Sequence, residues 1–400
     1  MPFACEPPSP ASSSRSPATH PGLRQILTRD FLLVSCSQFA FTFVINILVP
    51  TLPIYLSNLG AREVEIGVLI GSFFVSALVL RPFVGRGLTK IAEKKFMICG
   101  SILFALTCVA YVAAPPFWPF LIVRILQGIG LALFHTAAYT FVANITSEAH
   151  RGQSLSYFVL AFNVSCAVGP PLGIVLVNHF SFMVLFLVCA GLSLCSLFFA
   201  CMLRTPHVAS SQLLPVGAGA FFSRKSLPPS IVNALTYLTW GSINTFFPLY
   251  AVQHGVANPG LFFSTYAVML ILGRILGARI MDLYSKERLI LPCLILCTIS
   301  MVVLAFSETM PMFILAAIIM GVGFTFLMPS LLVIAIDRAQ PHPGLAMGTF
   351  TAVGDMALVL GPVLMGMVIH GTSYTTMFLC LALIELLNIG YFLLSVGKKR

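Results

Sequence analysis

The sequence predicts an all-α membrane protein of twelve transmembrane helices in two pseudo-symmetric six-helix bundles, and three observations predict it. First, of the 400 residues 58% are hydrophobic and 8% are charged, with a mean hydropathy of +0.99, which leaves too little polar surface to coat a water-soluble body of this size. Second, apolar runs long enough to cross a bilayer core of about 30 Å, roughly 20 helical residues each, recur with short breaks almost to the end of the chain. Third, the second half repeats landmarks of the first at a nearly constant offset. A closed β-barrel would instead show short alternating segments of about ten residues, whereas these runs are long and continuously apolar.

The elements follow in order. Residues 1–30 are rich in Pro and Ser and carry no hydrophobic face, so they read as a disordered cytosolic tail. The first apolar run is long enough to span and ends in Leu-Pro-Ile-Tyr-Leu-Ser-Asn-Leu-Gly, unlike the short apolar stretch and small-residue cleavage site of a secretory signal; it reads as helix one. Spans are expected at 31–57, 65–85, 96–114, 118–143, 155–178, 181–203, 229–252, 260–281, 289–307, 311–336, 345–369 and 373–396. The first six make an N-terminal bundle over 31–203 and the last six a C-terminal bundle over 229–396. The Pro, Gly, Ser and basic residues of 204–228 mark a cytosolic linker, and 397–400 is a basic cytosolic tail.

The formal net charge of +10 follows this topology and does not point to nucleic acid. With the N-terminus inside, the cytosolic segments hold Arg15, Arg24, Arg29, Arg86, Lys90, Lys94, Lys95, Arg151, Arg204, Arg224, Lys225, Arg279, Lys286, Arg288, Arg338 and the final Lys398, Lys399 and Arg400, against Arg62 alone on the other side. That is the asymmetry of the positive-inside rule, and it puts both termini in the cytosol. The eleven cysteines show no Cys-x-x-Cys or Cys/His clustering and read as small buried hydrophobes, so no metal and no cofactor is expected.

The repeat is read by subtraction. Leu52-Pro53-Ile54-Tyr55 and Gly60 match Phe247-Pro248-Leu249-Tyr250 and Gly255; Gly85 matches Gly277; Gly128 and Gly130 match Gly321 and Gly323; Gly169-Pro170 matches Gly361-Pro362. The offsets stay between 192 and 195. Two parallel six-helix repeats related by an axis along the membrane normal are the architecture in which one half rocks against the other around a midplane site.

Ionisable residues inside spans are costly and are functional candidates by default. Arg124 lies inside helix four, and His135, eleven residues on, falls on the same face. Asp355 lies in the middle of helix eleven, and the repeat places Asn163 at its equivalent in helix five. The expectation is that Arg124 faces the cavity and either binds an anionic substrate group or governs a neighbouring acid's proton, that His135 packs as a neutral side chain or titrates, and that Asp355 couples a proton or binds substrate, with Arg124 or His135 as its electrostatic partner, because burial and a nearby cation pull a carboxyl's proton affinity in opposite directions. Gln38 and Asn46 in helix one, Gln127 in helix four and Asn244 in helix seven complete the candidate set. Arg81 and Arg274, near cytosolic helix ends, read as snorkelling anchors. Glu385 in helix twelve has no clear role.

Three segments carry a family resemblance. Arg-Pro-Phe-Val-Gly-Arg-Gly-Leu-Thr-Lys-Ile-Ala-Glu-Lys-Lys after helix two, with Gly85 and Arg86, looks like a loop motif of the major facilitator superfamily. Arg124-Ile125-Leu126-Gln127-Gly128-Ile129-Gly130 resembles that family's Arg-x-x-Gln-Gly-x-Gly motif in helix four, and Gly169-Pro170-Pro171-Leu172-Gly173 resembles its Gly-Pro-x-x-Gly element, prominent in exporters. The resemblance covers about 31–396. It departs at Thr89, where the family usually has aspartate, and at Ala92, where it usually has glycine, while the second half keeps the acid as Asp282. Helix one also lacks the acid that many exporters of cationic drugs carry.

The resemblance implies a secondary transporter working by alternating access. Gating falls to the motif residues, and Asp282 steadies the cytosolic closure against the loop bearing Arg151. No Gly-x-x-x-x-Gly-Lys-Ser/Thr loop and no soluble domain is there to hold ATP, so an ion gradient is the expected driving force. Proton-coupled efflux of a small organic solute is the leading expectation. Uptake of a small metabolite, anionic ones included, by proton symport is its alternative, and a non-transporting sensor or membrane enzyme the alternative of another class, disfavoured because no catalytic cluster is present. The expected partners are membrane lipid, a small-molecule substrate and protons, with no nucleic acid, in a monomer of the inner (plasma) membrane.

Overall fold

In a computed structural model, residues 27–396 are described apart from 89, 114–116, 147–150, 205–222 and 340–342. Most of the expected N-terminal tail and linker, the C-terminal tail and Thr89 therefore lie outside the described residues. Among those described there are twelve α-helices: α1 (Arg29–Asn58), α2 (Glu63–Gly87), α3 (Glu93–Ala113), α4 (Trp118–Ile145), α5 (Arg151–His179), α6 (Phe182–Met202), α7 (Leu227–Gln253), α8 (Gly260–Leu283), α9 (Lys286–Ala305), α10 (Met310–Arg338), α11 (Pro343–Gly371) and α12 (Tyr374–Ser395).

Local chemistry sets the ends. The Thr28 hydroxyl accepts from the Phe31 amide at 3.2 Å and starts α1, and Ser181 and Ser373, equivalent in the repeat, cap α6 and α12 through Val184 and Thr376, as N-cap hydroxyls do. The sequence places 227 and 228 in the linker, yet α7 begins at Leu227. Pro228 and Pro229 occupy its first turn, where a missing N–H costs nothing, so a proline pair that looks like a break is a helix start. Gly60 and Gly255 follow α1 and α7 with φ of +82° and +72°, a left-handed conformation that favours glycine, which accounts for this pair of the repeat.

Ten of the described helices are long and apolar enough to cross a membrane by themselves. The other two are α8, whose described apolar stretch is Gly260–Leu276, and α7. The latter carries Asn233, Thr236, Thr239, Ser242, Asn244 and Thr245, which suits an inner helix lining a polar interface and not one facing lipid.

The two halves use the same packing scheme. In the first, α1 packs on α5 and α6, α3 on α4 and α6, and α2 on α4; in the second, α7 packs on α11 and α12, α9 on α10 and α12, and α8 on α10. Stacked phenylalanines fill both, Phe41 on Phe134 and Phe247 on Phe262, each with ring centroids 4.0 Å apart. The halves meet along α2 with α11, α5 with α8, and α1 with α7.

Candidate functional site

The contacts between halves lie toward the end of the bundle away from both chain termini. Gly67 of α2 abuts the Pro362 carbonyl of α11, and Gly260 of α8 abuts Pro170 and Pro171 of α5. These glycines are themselves equivalent at an offset of 193. The two Gly-Pro elements thus divide their labour: Gly169 and Gly361 let α5 and α11 approach α1 and α7 of their own half, near Asn46 and Leu238, while the prolines meet the opposite half. Polar contacts follow the same lines. On the α5 side Ser264 donates to the Ala167 carbonyl, Asn258 to that of Pro171 at 3.4 Å, and Asn178 to that of Ala257 at 2.9 Å. On the α2 side Glu63 and His370 approach to 3.7 Å at the rim.

Deeper on the α2 side, Arg81 Nη1 donates to Asp355 Oδ2 and forms an ion pair between the halves. Asp355 is in the middle third of α11, and the side chains are 35% and 22% exposed, open enough to be reached and enclosed enough to need each other. Tyr139 of α4 and Tyr237 of α7 lie within electrostatic reach of the guanidinium, as does His135. His135 Nε2 is 3.5 Å from Gln38 Nε2 of α1, and its ring lies edge-on to Tyr139 at 6.0 Å. Four residues from three helices thus surround one charge pair.

Two expectations are corrected here. Arg81 does not snorkel outward; it turns inward and bridges the halves. Asp355 pairs with Arg81, not with Arg124 or His135, because Arg124 spends its donors elsewhere. Buried at 4% exposure, Arg124 donates through Nε to the Leu69 carbonyl at 3.1 Å, through Nη2 to that of Ile70 at 3.3 Å and through Nη1 to Gln127 Oε1 at 2.7 Å. Its guanidinium stacks 4.5 Å from the Phe73 ring centroid, and Tyr111 also donates to Gln127 Oε1 at 2.6 Å. This arrangement ties α2, α3 and α4 together.

Arg124, Gln127 and Asn244 nevertheless line one cavity of about 60 Å³, walled otherwise by Ile45, Leu48, Phe73 and Phe104 among others, with room for a few waters. Gln127 Nε2 and Gln38 Oε1 are buried without a hydrogen-bond partner among the described residues. Asn244 donates to the Trp240 carbonyl of its own helix at 3.0 Å. Asn46 donates to Ser165 Oγ at 3.0 Å and fastens α1 to α5, and Asn163 is buried on α5. Gly128 meets the Phe73 carbonyl of α2 and Gly130 lies against the Gly100 carbonyl of α3, so both serve packing within the first half. Around Gly85 a side chain would meet nothing; Arg86 beside it is exposed. The side chains of Arg151 and Asp282 lie outside the described residues.

Glu385 gains an account. Although α12 is an outer helix, its carboxyl is fully buried against α7. Asn388 Nδ2 donates to the Val232 carbonyl at 3.0 Å, to Thr236 Oγ1 at 3.2 Å and to Glu385 Oε2 at 3.3 Å, a polar clasp inside the second half and away from the α2–α11 pair. Sequence reasoning missed Arg81, Tyr139 and Tyr237 as site residues. The signal for Arg81 was its equivalence to Arg274 at an offset of 193, which set it beside the equivalence of Asp355 and Asn163.

With this geometry in place, comparison with known proteins is informative. The profile of the Major Facilitator Superfamily matches residues 34–257 and 229–400. The staphylopine export protein of Staphylococcus aureus is 24% identical over 357 residues, spanning 85% of this chain and 89% of that protein. Multidrug resistance protein 1 of Bacillus subtilis is 25% identical over 338 residues, spanning 81% and 85%. Among solved structures, the nucleoside transporter NupG superposes with a TM-score of 0.78 at 16% identity, covering 93% of this chain and all of that one. The human organic anion transporter MFSD10 superposes at 0.67 and 17% identity, covering 93% and 99%.

Proposed function

The chain belongs to the major facilitator superfamily, is a multi-pass membrane transporter of small molecules and not an enzyme, and from that premise we propose that it exports a small organic solute in exchange for protons, with Asp355 as the proton-coupling carboxyl and Arg81 as its counter-ion. The observation that carries this reading is the Arg81–Asp355 pair between the two halves. A proton on Asp355 dissolves the pair and loosens one half from the other, so protonation and rocking are linked through one bond. The names of the relatives in Staphylococcus aureus and Bacillus subtilis favour the outward direction.

The positive residues favour a cytosolic location for both termini and 204–228, and in that orientation the Gly67–Pro362 and Gly260–Pro170 contacts lie toward the outer face. A reporter fused after Arg400 or within 210–222 should report cytosol; an external signal would invert the assignment. We place the protein in the inner (plasma) membrane as a monomer, with Asp282 steadying the cytosolic closure of the opposite state. Asp282→Asn should then raise labelling, from the cytosolic side, of a cysteine introduced at cavity residue Leu48.

The deciding experiment uses purified protein in proteoliposomes. Asp355→Asn removes the titrating group, so it should abolish accumulation driven by an imposed pH gradient. Accumulation that survives the substitution would remove Asp355 from coupling.

A further inference from the structure

Resting on the export reading above, we infer that the transported solute is a zwitterion, whose oxyanion takes the Arg81 guanidinium and whose ammonium or comparable cation takes the Asp355 carboxylate.

The pair is built to be opened. A guanidinium has five N–H donors, and a carboxylate can accept two of them in a fork. Here Arg81 gives one, Nη1, to one oxygen, Oδ2, so the other donors and Asp355 Oδ1 are uncommitted among the described residues. The side chains keep 35% and 22% of their surface, in contrast to Arg124, whose donors are spent on Leu69, Ile70, Tyr111 and Gln127. The groups facing the pair are His135 and Tyr139 of α4 and Tyr237 of α7, with Gln38 of α1 beside His135. None is a carboxylate or a permanent cation. A solute that pulls either partner away must therefore supply the missing charge itself, because an unpaired ion in an enclosed site is heavily penalised.

Linkage then selects among solutes. In an exchanger the proton and the solute bind alternately, so the solute must favour the ionised form of Asp355. A simple anion fails this condition, because it gains Arg81 best when a proton has already occupied Asp355; proton and anion would bind together and travel together, as in uptake by symport. A simple cation competes with the proton but, like the proton, leaves Arg81 without a counter-ion, so it lacks the second ion pair that a zwitterion gains. A zwitterion meets both demands. It replaces one ion pair by two, keeps the site neutral, and excludes the proton from Asp355 as long as it stays bound. Since Arg81 and Asp355 start in direct contact, the opposite charges of the solute are expected only a few bonds apart, as in an amino acid.

The test needs no prior identification of the solute. A bacterial metabolite extract is sorted on cation and anion exchangers at neutral pH into cationic, anionic and zwitterionic fractions. Each is offered to proteoliposomes of the full chain with an acidic lumen, and the lumenal contents are read by mass spectrometry against protein-free liposomes. Zwitterionic compounds are expected to be enriched several-fold, and addition of an enriched compound to the purified protein in weak buffer should release protons. In Arg81→Gln, selection should move from zwitterions toward amines that lack the oxyanion. Enrichment confined to cations or to anions, or proton uptake on binding, would overturn the inference and leave proton-coupled transport standing. Enrichment of no fraction by the wild-type chain would instead remove the export reading itself, and the inference with it.

Discussion

The α2–α11 and α5–α8 contacts occupy equivalent places in a duplicated scaffold, yet they are chemically unlike. Both set a glycine against a proline-bearing backbone, Gly67 on Pro362 and Gly260 on Pro170 and Pro171. The first adds an ion pair, Arg81 with Asp355, and brings Glu63 within 3.7 Å of His370. The second has only uncharged hydrogen bonds among its described residues, from Ser264, Asn258 and Asn178. At the positions equivalent to Arg81 and Asp355 stand Arg274, which is exposed, and Asn163. Duplication supplies two equivalent contacts, and one Asn/Asp difference gives one of them a charge. In the mechanism proposed above, the α5–α8 line serves as a clasp and the α2–α11 line as the coupling contact.

The largest expected effect is on what the two contacts share. A Cβ at Gly67 or at Gly260 would run into backbone of the opposite half, which cannot yield as a flexible side chain would. Gly67→Val and Gly260→Val should each prevent closure of the outer face and abolish transport, with labelling from outside of a cysteine introduced at cavity residue Leu48 rising in both. A variant that transports normally would show that its contact is not part of closure.

The next test addresses what they do not share. In Asp355→Asn combined with Asn163→Asp the acid moves to the equivalent site of the other half. We expect no recovery of gradient-driven accumulation, because Arg274, unlike Arg81, is exposed. Recovery would mean that the scaffold alone specifies coupling and that the contrast drawn above is false.

That contrast also marks how far the sequence could be read. Length, hydropathy and the offset of 192 to 195 made the twelve helices and the two bundles legible, and the repeat singled out Asp355 through Asn163. The partner was not legible. Arg81 was read as an anchor from its distance to a helix end, which reports depth; what decides its role is the direction it faces. A soluble helix shows its direction as an apolar stripe, but α2 is apolar nearly all round and its direction is set by packing. The same ambiguity put Arg124 in the coupling role, although the carbonyls of Leu69 and Ile70 occupy it. The proline pair at the start of α7 misled in a smaller way, since Pro marks a break and a first turn equally well.

Arg124 sharpens the comparison from within one half. If it is a fastener of α2 to α4, Arg124→Gln should lower stability by about 1.5–3 kcal/mol, the range for hydrogen bonds to a charged group, while the pH dependence of transport per folded molecule stays that of the wild type. A lowered melting temperature with unchanged coupling is the expected pair of results. A shifted pH profile at unchanged stability would return Arg124 to the coupling machinery.

The smallest effect is expected on the clasp. Ser264 donates to the Ala167 carbonyl across the α5–α8 line and, more weakly, to the Gly260 carbonyl of its own helix at 3.4 Å. Ser264→Ala removes the first bond and leaves the Ala167 carbonyl without a helical donor, because Pro170 and Pro171, three and four residues on, have no N–H. Hydrogen bonds between membrane helices average about 0.6 kcal/mol and reach about 1.7, which corresponds to roughly a three- to twentyfold shift between outer-closed and outer-open states. The turnover rate should therefore move by no more than about twentyfold, whereas the dependence of accumulation on the pH gradient should be unchanged, since no charge is altered. Measured beside Asp355→Asn, this variant separates closure from coupling. If Ser264→Ala uncoupled transport from the gradient, the α5–α8 line would carry coupling too, and the assignment of that role to the α2–α11 contact alone would fail.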